Sequence, residues 1–192
     1  GEMGYPIVLK AVSQDIVHKT EAGAVKLDLR DEEGLRSGWR EIAEALEQEG
    51  AEARGAGVLV QKMWTGGRET IVGMTMEPQF GPIVMFGLGG VYVEVLRDVA
   101  FRVQPVSTVD AREMIESLRG YRILEGVRGQ KGVDLEGLAE VIQRVSQLVG
   151  DQPEIHEMDI NPFLAFTEGQ ASVAVDARFR VGPADPTEGR SW

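Results

Sequence analysis

The sequence contains no cysteine and only two histidines, His18 and His156. Without thiols there is no disulfide framework and no thiolate metal site, a composition that suits a reducing compartment such as the cytoplasm. Positive charge is scarce as well. Twenty Lys and Arg stand against 31 Asp and Glu, for a formal net charge of −11, and no basic cluster is present to meet a run of phosphates, which argues against a nucleic-acid binder. A few well-placed lysines still suffice for one triphosphate. No stretch reaches the roughly 18 apolar residues of a membrane span, and no basic region followed by an apolar one opens the chain, so neither a span nor a signal peptide is written here. What remains is ordinary for a folded chain: 192 residues, 43% hydrophobic and 27% charged, enough for one domain or two small lobes.

The first lobe reads strand, loop, strand, helix. Pro6 to Val12 and Ala24 to Leu29 have strand patterning, and Val25, Leu27 and Leu29 alternate with Lys26, Asp28 and Arg30. Leu35, Trp39, Ile42, Ala43 and Leu46 share one helical face, with Asp31 as N-cap and Gly50 past the end. After the turn "GAEARGAG" come strands at Val58 to Met63, Glu69 to Met76 and Ile83 to Phe86, then "FGLGG". The next stretch, "VEVLRDVAFRV", fits strand or helix. Two helices follow, Ala111 to Leu118 capped by Asp110 with Glu113 in the capping box, and Leu135 to Val149 started by Asp134 and stopped by Gly150. A hairpin, "EIHEMDINPFLAF" against "ASVAVDARF", ends the folded part. This predicts an α+β fold of two lobes around a cleft, with residues 1–56 and 57–181 as the lobes and 182–192 as a flexible tail or linker. The start, almost directly into a strand, reads as the second part of something longer.

On the first hairpin strand Glu157, Asp159 and Asn161 are spaced by two, so all three side chains share a face, and Asp176 follows on the strand expected to pair with it. Clustered carboxylates repel unless a cation sits among them, and oxygen donors of this kind suit Mg²⁺ with phosphate oxygens in its remaining positions. The other reading is the solvent face of an edge hairpin. Ile155, Met158 and Ile160, with Val173 and Val175, make the opposite apolar face. Lys10 at the end of the first strand and Lys19 in the following loop are candidates to lie along a triphosphate, or are surface lysines. Gly87, Gly89 and Gly90 offer backbone N–H groups to an anion, although no lysine and serine follow as in a P-loop. His18 lies between Asp15 and Lys19 in the loop, where its neighbours by themselves suit a solvated residue.

Taken in order, "GYPIVLKAVSQDIVHKTEAG", "VLVQKMWTGGRETIVGMTMEPQFGPIVMFGLGGVYVEVLRDVAFRVQP" and "EIHEMDINPFLAF" resemble the ATP-grasp domain of the NDP-forming acyl-CoA synthetases, over roughly residues 4 to 181. In ADP-forming acetate–CoA ligases that domain is a β subunit or part of a fused chain. The resemblance implies that His18 accepts a phosphoryl group, that Lys10 touches nucleotide phosphates, and that Asn161 and Asp176 hold Mg²⁺ with Asp159 as the accompanying acid. It implies further nucleotide contacts at Lys19 and along Gln61, Lys62 and Met63, where backbone groups would meet the base. Glu69 is the candidate for the ribose and Arg102 for a phosphate. The implied reaction is acyl-CoA + ADP + phosphate giving acid + CoA + ATP, with ATP/ADP and Mg²⁺ bound and a CoA-binding α subunit or fused domains as partner.

Three departures from the family pattern stand out. Lys62 replaces a common acidic residue, Ala24 a common glycine, and the family's helix and strand before "GYP" are missing. CoA binding and acyl phosphate formation belong to other domains of these enzymes, so this chain alone is not expected to form a CoA thioester. A rival reading is a regulatory nucleotide- or ligand-binding domain, since similar domains are fused to protein lysine acetyltransferases. An amide- or carboxylate-forming ATP-grasp ligase would need no histidine at position 18.

Overall fold

A computed structural model describes residues 3–12, 23–48, 57–90, 95–127 and 129–184. The chain divides into two units, Gly1–Thr65 and Gly66–Trp192. In the first, β1 (Ile7–Val12) lies between β2 (Val25–Leu29) and β3 (Gly57–Lys62) in an antiparallel sheet. Because β3 pairs with β1 along its whole length, it belongs to this unit. The division therefore falls after Thr65 and not at the expected 56/57, and the expected tail from 182 keeps only residues 182–184 among those described.

Helix α1 (Glu32–Gln48) starts where expected: the Asp31 carboxylate accepts the Gly34 N–H at 2.8 Å and its carbonyl accepts that of Leu35 at 3.0 Å. Ile42 and Leu46 pack with Leu9, Ala11 and Ala24 into a small core, and Leu29, Leu35 and Val58 lie against it. Ala24 is fully buried there, so the methyl that replaces the family's glycine is accommodated within the core. Two expected members are outside it. Trp39 is 50% exposed and Ala43 is exposed, because the helix turns Gly38 to the sheet, close against Leu29. The buried stripe is thus 35, 38, 42 and 46, and 39 and 43 fall beside it.

The second unit is a sheet in the order β6-β5-β4-β7-β8, with β9 also paired to β7. Its strands are β4 (Arg68–Glu77), β5 (Gly81–Leu88), β6 (Val99–Val103), β7 (Ile155–Ala165), β8 (Val173–Ala174) and β9 (Ala177–Val181). The ambiguous "VEVLRDVAFRV" therefore holds a strand in its second half. Helices α2 (Thr108–Glu116), α3 (Tyr121–Glu125) and α4 (Leu135–Asp151) follow the chain order. Val72, Met74, Val84, Phe86, Ala100 and Met158 meet Met114, Ile115, Leu138, Ile142 and Val149 in the core.

Helix α4 begins as expected, the Asp134 carboxylate accepting the Gly137 N–H at 2.9 Å, but continues through Gly150 to Asp151. Helix α2 starts earlier than expected. Ser107 is its N-cap, and Asp110 is the third helical residue, accepting the Ser107 N–H at 2.9 Å in a capping box. The signature S-x-x-D stood in the sequence one turn ahead of the residue chosen. These bonds hold the Asp110 carboxyl below its ordinary range. Among the described residues no helix is long and apolar enough to cross a membrane.

Candidate functional site

Strand alternation sorts the candidates of the second unit onto two faces. Val84 and Met74 point into the helix-covered core, so their neighbours Met85 and Gly73 face away from α2 and α4. Gly73 pairs with Asp159, which pairs with Arg178 in turn. Asp159 therefore stands on the face turned away from the helices. The apolar face of β7 is as expected for Met158; Ile155 joins it because the register shifts between Ile155 and Glu157.

Beyond Ile160 β7 continues through Asn161 and Pro162 to Ala165. The Asn161 N–H donates to the Asp176 carbonyl at 3.1 Å, and the Val175 N–H donates to the Pro162 carbonyl at 3.0 Å. Asp159 and Asp176 are thereby brought within electrostatic reach. The Asp159 carboxyl is raised from its ordinary range, first by burial, then by the charges of Asp176 and Glu157, with Arg178 acting the other way. Glu157 itself is paired with Arg180 at 3.0 Å.

The local donor set is two carboxylates, with Asn161 bonded through its backbone to Asp176. Among the described residues no group of three or more histidine or acidic side chains forms a metal cage. Mg²⁺ is commonly held by one or two carboxylates, with water and phosphate oxygens completing its shell. Asp159, raised by burial and by a like-charged neighbour, is the kind of group a cation relieves. The residues present fit that ion.

Glu69 opens β4 and is exposed. Its carbonyl accepts the Gly89 N–H at 2.8 Å, so that N–H, expected to face an anion, is already donated within the sheet. Gly90 has φ +58°, and a Cβ there would come within 2.6 Å of the Glu69 carboxylate. The positive φ is what favours glycine there, since the exposed Glu69 carboxylate could move aside. Gly87 has another use: a Cβ on it would be 2.7 Å from the Asp98 carbonyl, so its bareness admits β6.

Arg102 lies opposite Val84, on the helix-covered side. Its guanidinium donates to Glu113 of α2 at 3.2 Å and to the Phe101 carbonyl at 3.0 Å. The sheet separates it from Asp159, and the expected phosphate contact from this residue has no geometric support. Glu113, expected in the capping box, serves this ion pair instead.

In the first unit Lys10 pairs with Leu59, and Val8 with Gln61. Lys10 and Gln61 consequently share the sheet face away from α1. Lys62, at the position of the family's acidic residue, places its ammonium over the Trp64 ring, 4.7 Å from the centroid. The Met63 N–H donates to the Pro6 carbonyl at 3.0 Å, and its sulfur accepts the Asp28 N–H at 3.2 Å. That backbone donor is also engaged. His18 and Lys19 lie outside the described residues.

One residue that the sequence did not single out is Asp98. It is 5% exposed, and its two carboxylate oxygens accept the Arg119 and Gly120 N–H groups at 2.8 Å each. A lone aspartate gives no local sign of partners twenty residues away.

The ATP-grasp domain family profile matches residues 1–181. The chain is 50% identical over 180 residues to acetate–CoA ligase [ADP-forming] I of Archaeoglobus fulgidus, covering 94% of this chain and 26% of that protein. It is 48% identical over 178 residues to the β subunit of acetate–CoA ligase [ADP-forming] I of Pyrococcus furiosus, covering 93% and 76%. It thus spans about a quarter of the fused ligase and about three quarters of the separate subunit. The dinucleotide-forming acetyl-coenzyme A synthetase 1 of Candidatus Korarchaeum cryptofilum, solved with coenzyme A, Ca-AMPCP and HgCl⁺, superposes with a TM-score of 0.86 at 43% identity, covering 94% and 78%. A second structure of it, with coenzyme A and Mg-AMPPCP and its phosphohistidine segment pointing towards the nucleotide site, gives 0.80 at 42% identity over the same shares. With the acidic hairpin, the glycine turn and the two-unit α+β architecture all present, the chain belongs to the ATP-grasp domains of the ADP-forming acetate–CoA ligase and acyl-CoA synthetase family, of the β-subunit type.

Proposed function

We propose that this chain is the phosphotransfer part of an ADP-forming acyl-CoA synthetase, carrying a phosphoryl group on His18 in the reaction acyl-CoA + ADP + phosphate ⇌ carboxylic acid + CoA + ATP. The observation that carries this reading is the Asp159–Asp176 pair, brought together where the Asn161 N–H donates to the Asp176 carbonyl. It is supported by the relative that holds Mg-AMPPCP and has a phosphohistidine segment.

In the ATP-consuming direction a neutral ring nitrogen of His18 attacks the γ-phosphorus. A nitrogen–phosphorus bond forms as the bond to the bridging oxygen breaks, ADP leaves, and the ring proton passes to solvent. Mg²⁺ bound by Asp159, Asn161 and Asp176 would supply neutralisation of phosphate charge. Lys10 and Lys19 bind the phosphate oxygens, and Lys10 orients them from a strand rather than a loop. Gln61, Lys62 and Met63 line the nucleotide with backbone and side-chain groups, and Glu69, backed by Gly90, accepts from the ribose hydroxyls. Gly87 and Gly89 shape this edge rather than donate to the anion. Arg102 is left out. The partner is a CoA-binding α subunit or fused domains, the other substrates an acyl-CoA and a carboxylate, and the compartment the cytoplasm.

The test is labelling by Mg²⁺ and γ-labelled ATP in the complete enzyme, compared with His18→Ala. Acid-labile, base-stable label that disappears in the variant is the expected result. Binding of Mg-ATP with no label taken up would favour the regulatory reading, in which the domain senses a ligand for a fused lysine acetyltransferase.

A further inference from the structure

The end of β5 is fastened from two sides. On one, Gly89 donates its N–H to the Glu69 carbonyl at 2.8 Å. On the other, Leu88 donates its N–H to the Asp98 carbonyl at 3.3 Å, and the bare Cα of Gly87 lets that carbonyl approach. The first fastening comes from β4, a central strand that cannot shift without moving the sheet. The second comes from Asp98, just before β6, in a stretch with a positive φ at Arg97. What holds Asp98 in place is its own side chain. Both carboxylate oxygens are bonded to consecutive N–H groups, those of Arg119 and Gly120, where the chain enters α3. That turn is itself anchored by Leu118 and Leu124 in the core.

We infer that Asp98 is a positioning residue for the nucleotide edge: by clamping the approach to β6 onto the entry of α3, it fixes Gly87 to Gly90, the turn that borders the Glu69 carboxylate. This rests on the proposed nucleotide role of Glu69 and the glycine turn. Removing this buried carboxylate would strand both the Arg119 and the Gly120 N–H groups, so the joint depends on the side chain itself. An apolar residue with a repacked turn would serve a purely structural end. The carboxylate instead supplies two hydrogen bonds of fixed direction, a stiffer joint than dispersion contacts give. Asparagine can reproduce only one of them, since its NH₂ would face the second N–H donor to donor.

The test compares Asp98→Ala, Asp98→Asn and Asp134→Ala in the complete enzyme. Asp134 is also a carboxylate that accepts a backbone N–H in this unit, at the start of α4, and has no place in the nucleotide edge. Two readouts are taken: amide hydrogen exchange at Leu88 and Gly89, and the KM for ATP and the rate of His18 labelling. The clamp predicts at least tenfold faster exchange at both amides in Asp98→Ala, with a smaller rise in Asp98→Asn. It also predicts a KM for ATP raised about tenfold or more with a smaller change in kcat, while Asp134→Ala changes neither readout at those residues beyond a few-fold. Unchanged exchange at Leu88 and Gly89, or a KM rise in Asp134→Ala equal to that in Asp98→Ala, overturns the inference. If the wild-type enzyme takes no label, the phosphotransfer reading fails, and the exchange result still decides whether Asp98 holds the edge.

Discussion

The two units differ in how much they bury, and the candidate chemistry is divided between them along the same line. The first has a described core of five residues under a single helix, and leaves Tyr5, Trp39, Leu59 and Val60 between 38% and 50% exposed. Tyr5, Trp39 and Val60 line a groove of about 840 Å³ beside Arg36 and Arg40. The second gathers twenty-one described residues into one core beneath a six-stranded sheet. Carboxylates that must converge despite their repulsion, Asp159 and Asp176, sit on the heavily packed unit. Lys10, and in sequence His18, belong to the thinly packed one. Like charges need a stiff frame to hold them together, whereas a lysine that follows a phosphate does not.

The largest stability effect expected is that of Ile142→Ala, at the centre of the larger core and fully buried. It should cost about 4 kcal/mol, near the upper range for such truncations, because a tightly packed core collapses poorly around a cavity. Ile42→Ala, equally buried in the first unit, should cost about 2 kcal/mol, since few neighbours surround the void. Hydrogen exchange read segment by segment during urea titration checks the comparison: Ile142→Ala should loosen residues 68–165 first, and Ile42→Ala residues 7–62. If both variants loosen both units equally, the units share one stability and the division is not energetic.

A smaller effect separates local order from the core. Ser107→Ala removes the reciprocal cap of α2 and should cost about 1 kcal/mol at neutral pH. Asp110 is held below its ordinary pKa by Ser107. Its stabilising contribution is therefore present above the unfolded-state value and lost as the pH falls through the lower folded-state value. Thermal melts of both proteins should converge in acid and diverge towards neutrality. A gap that stays constant would mean that the serine acts without Asp110.

Much of this was legible from the sequence because it depends on near neighbours. The Asp31 and Asp134 caps and the acidic hairpin appear where the patterning puts them, and β2 is a strand although its burial does not alternate, Leu27 being 62% exposed. The misses share a cause. Trp39 looked buried because helical periodicity fixes the angular spacing of residues and not which way the helix is rolled, and a glycine, Gly38, won the contact. The face that Arg102 takes, opposite Val84, is settled by strand pairing, which a sequence does not display. Asp98 was passed over since its partners lie in another element. The edge proposed for the nucleotide is built from such distant pairings, so its residue types could be named more readily than their bonds.

The smallest stability effect has the opposite sign and bears most directly on the packed unit. Asp159→Asn removes a half-buried charge that Asp176 and Glu157 oppose and, among the described residues, Arg178 favours. Without Mg²⁺ at neutral pH the variant should therefore melt slightly higher than the wild type, by about 1–2 °C for a few tenths of a kcal/mol in a domain of this size. Adding Mg²⁺ with ATP should reverse the order. The wild type gains by mass action from a ligand bound only in the folded state, and the variant, lacking one of two carboxylates, gains less. Melts with and without Mg²⁺-ATP read both halves at once. A variant that is less stable than the wild type even without the ion would mean that Asp159 is held for the fold, through Arg178. A crossing of the two would mean that the stiff unit tolerates a destabilising charge for the sake of the cation.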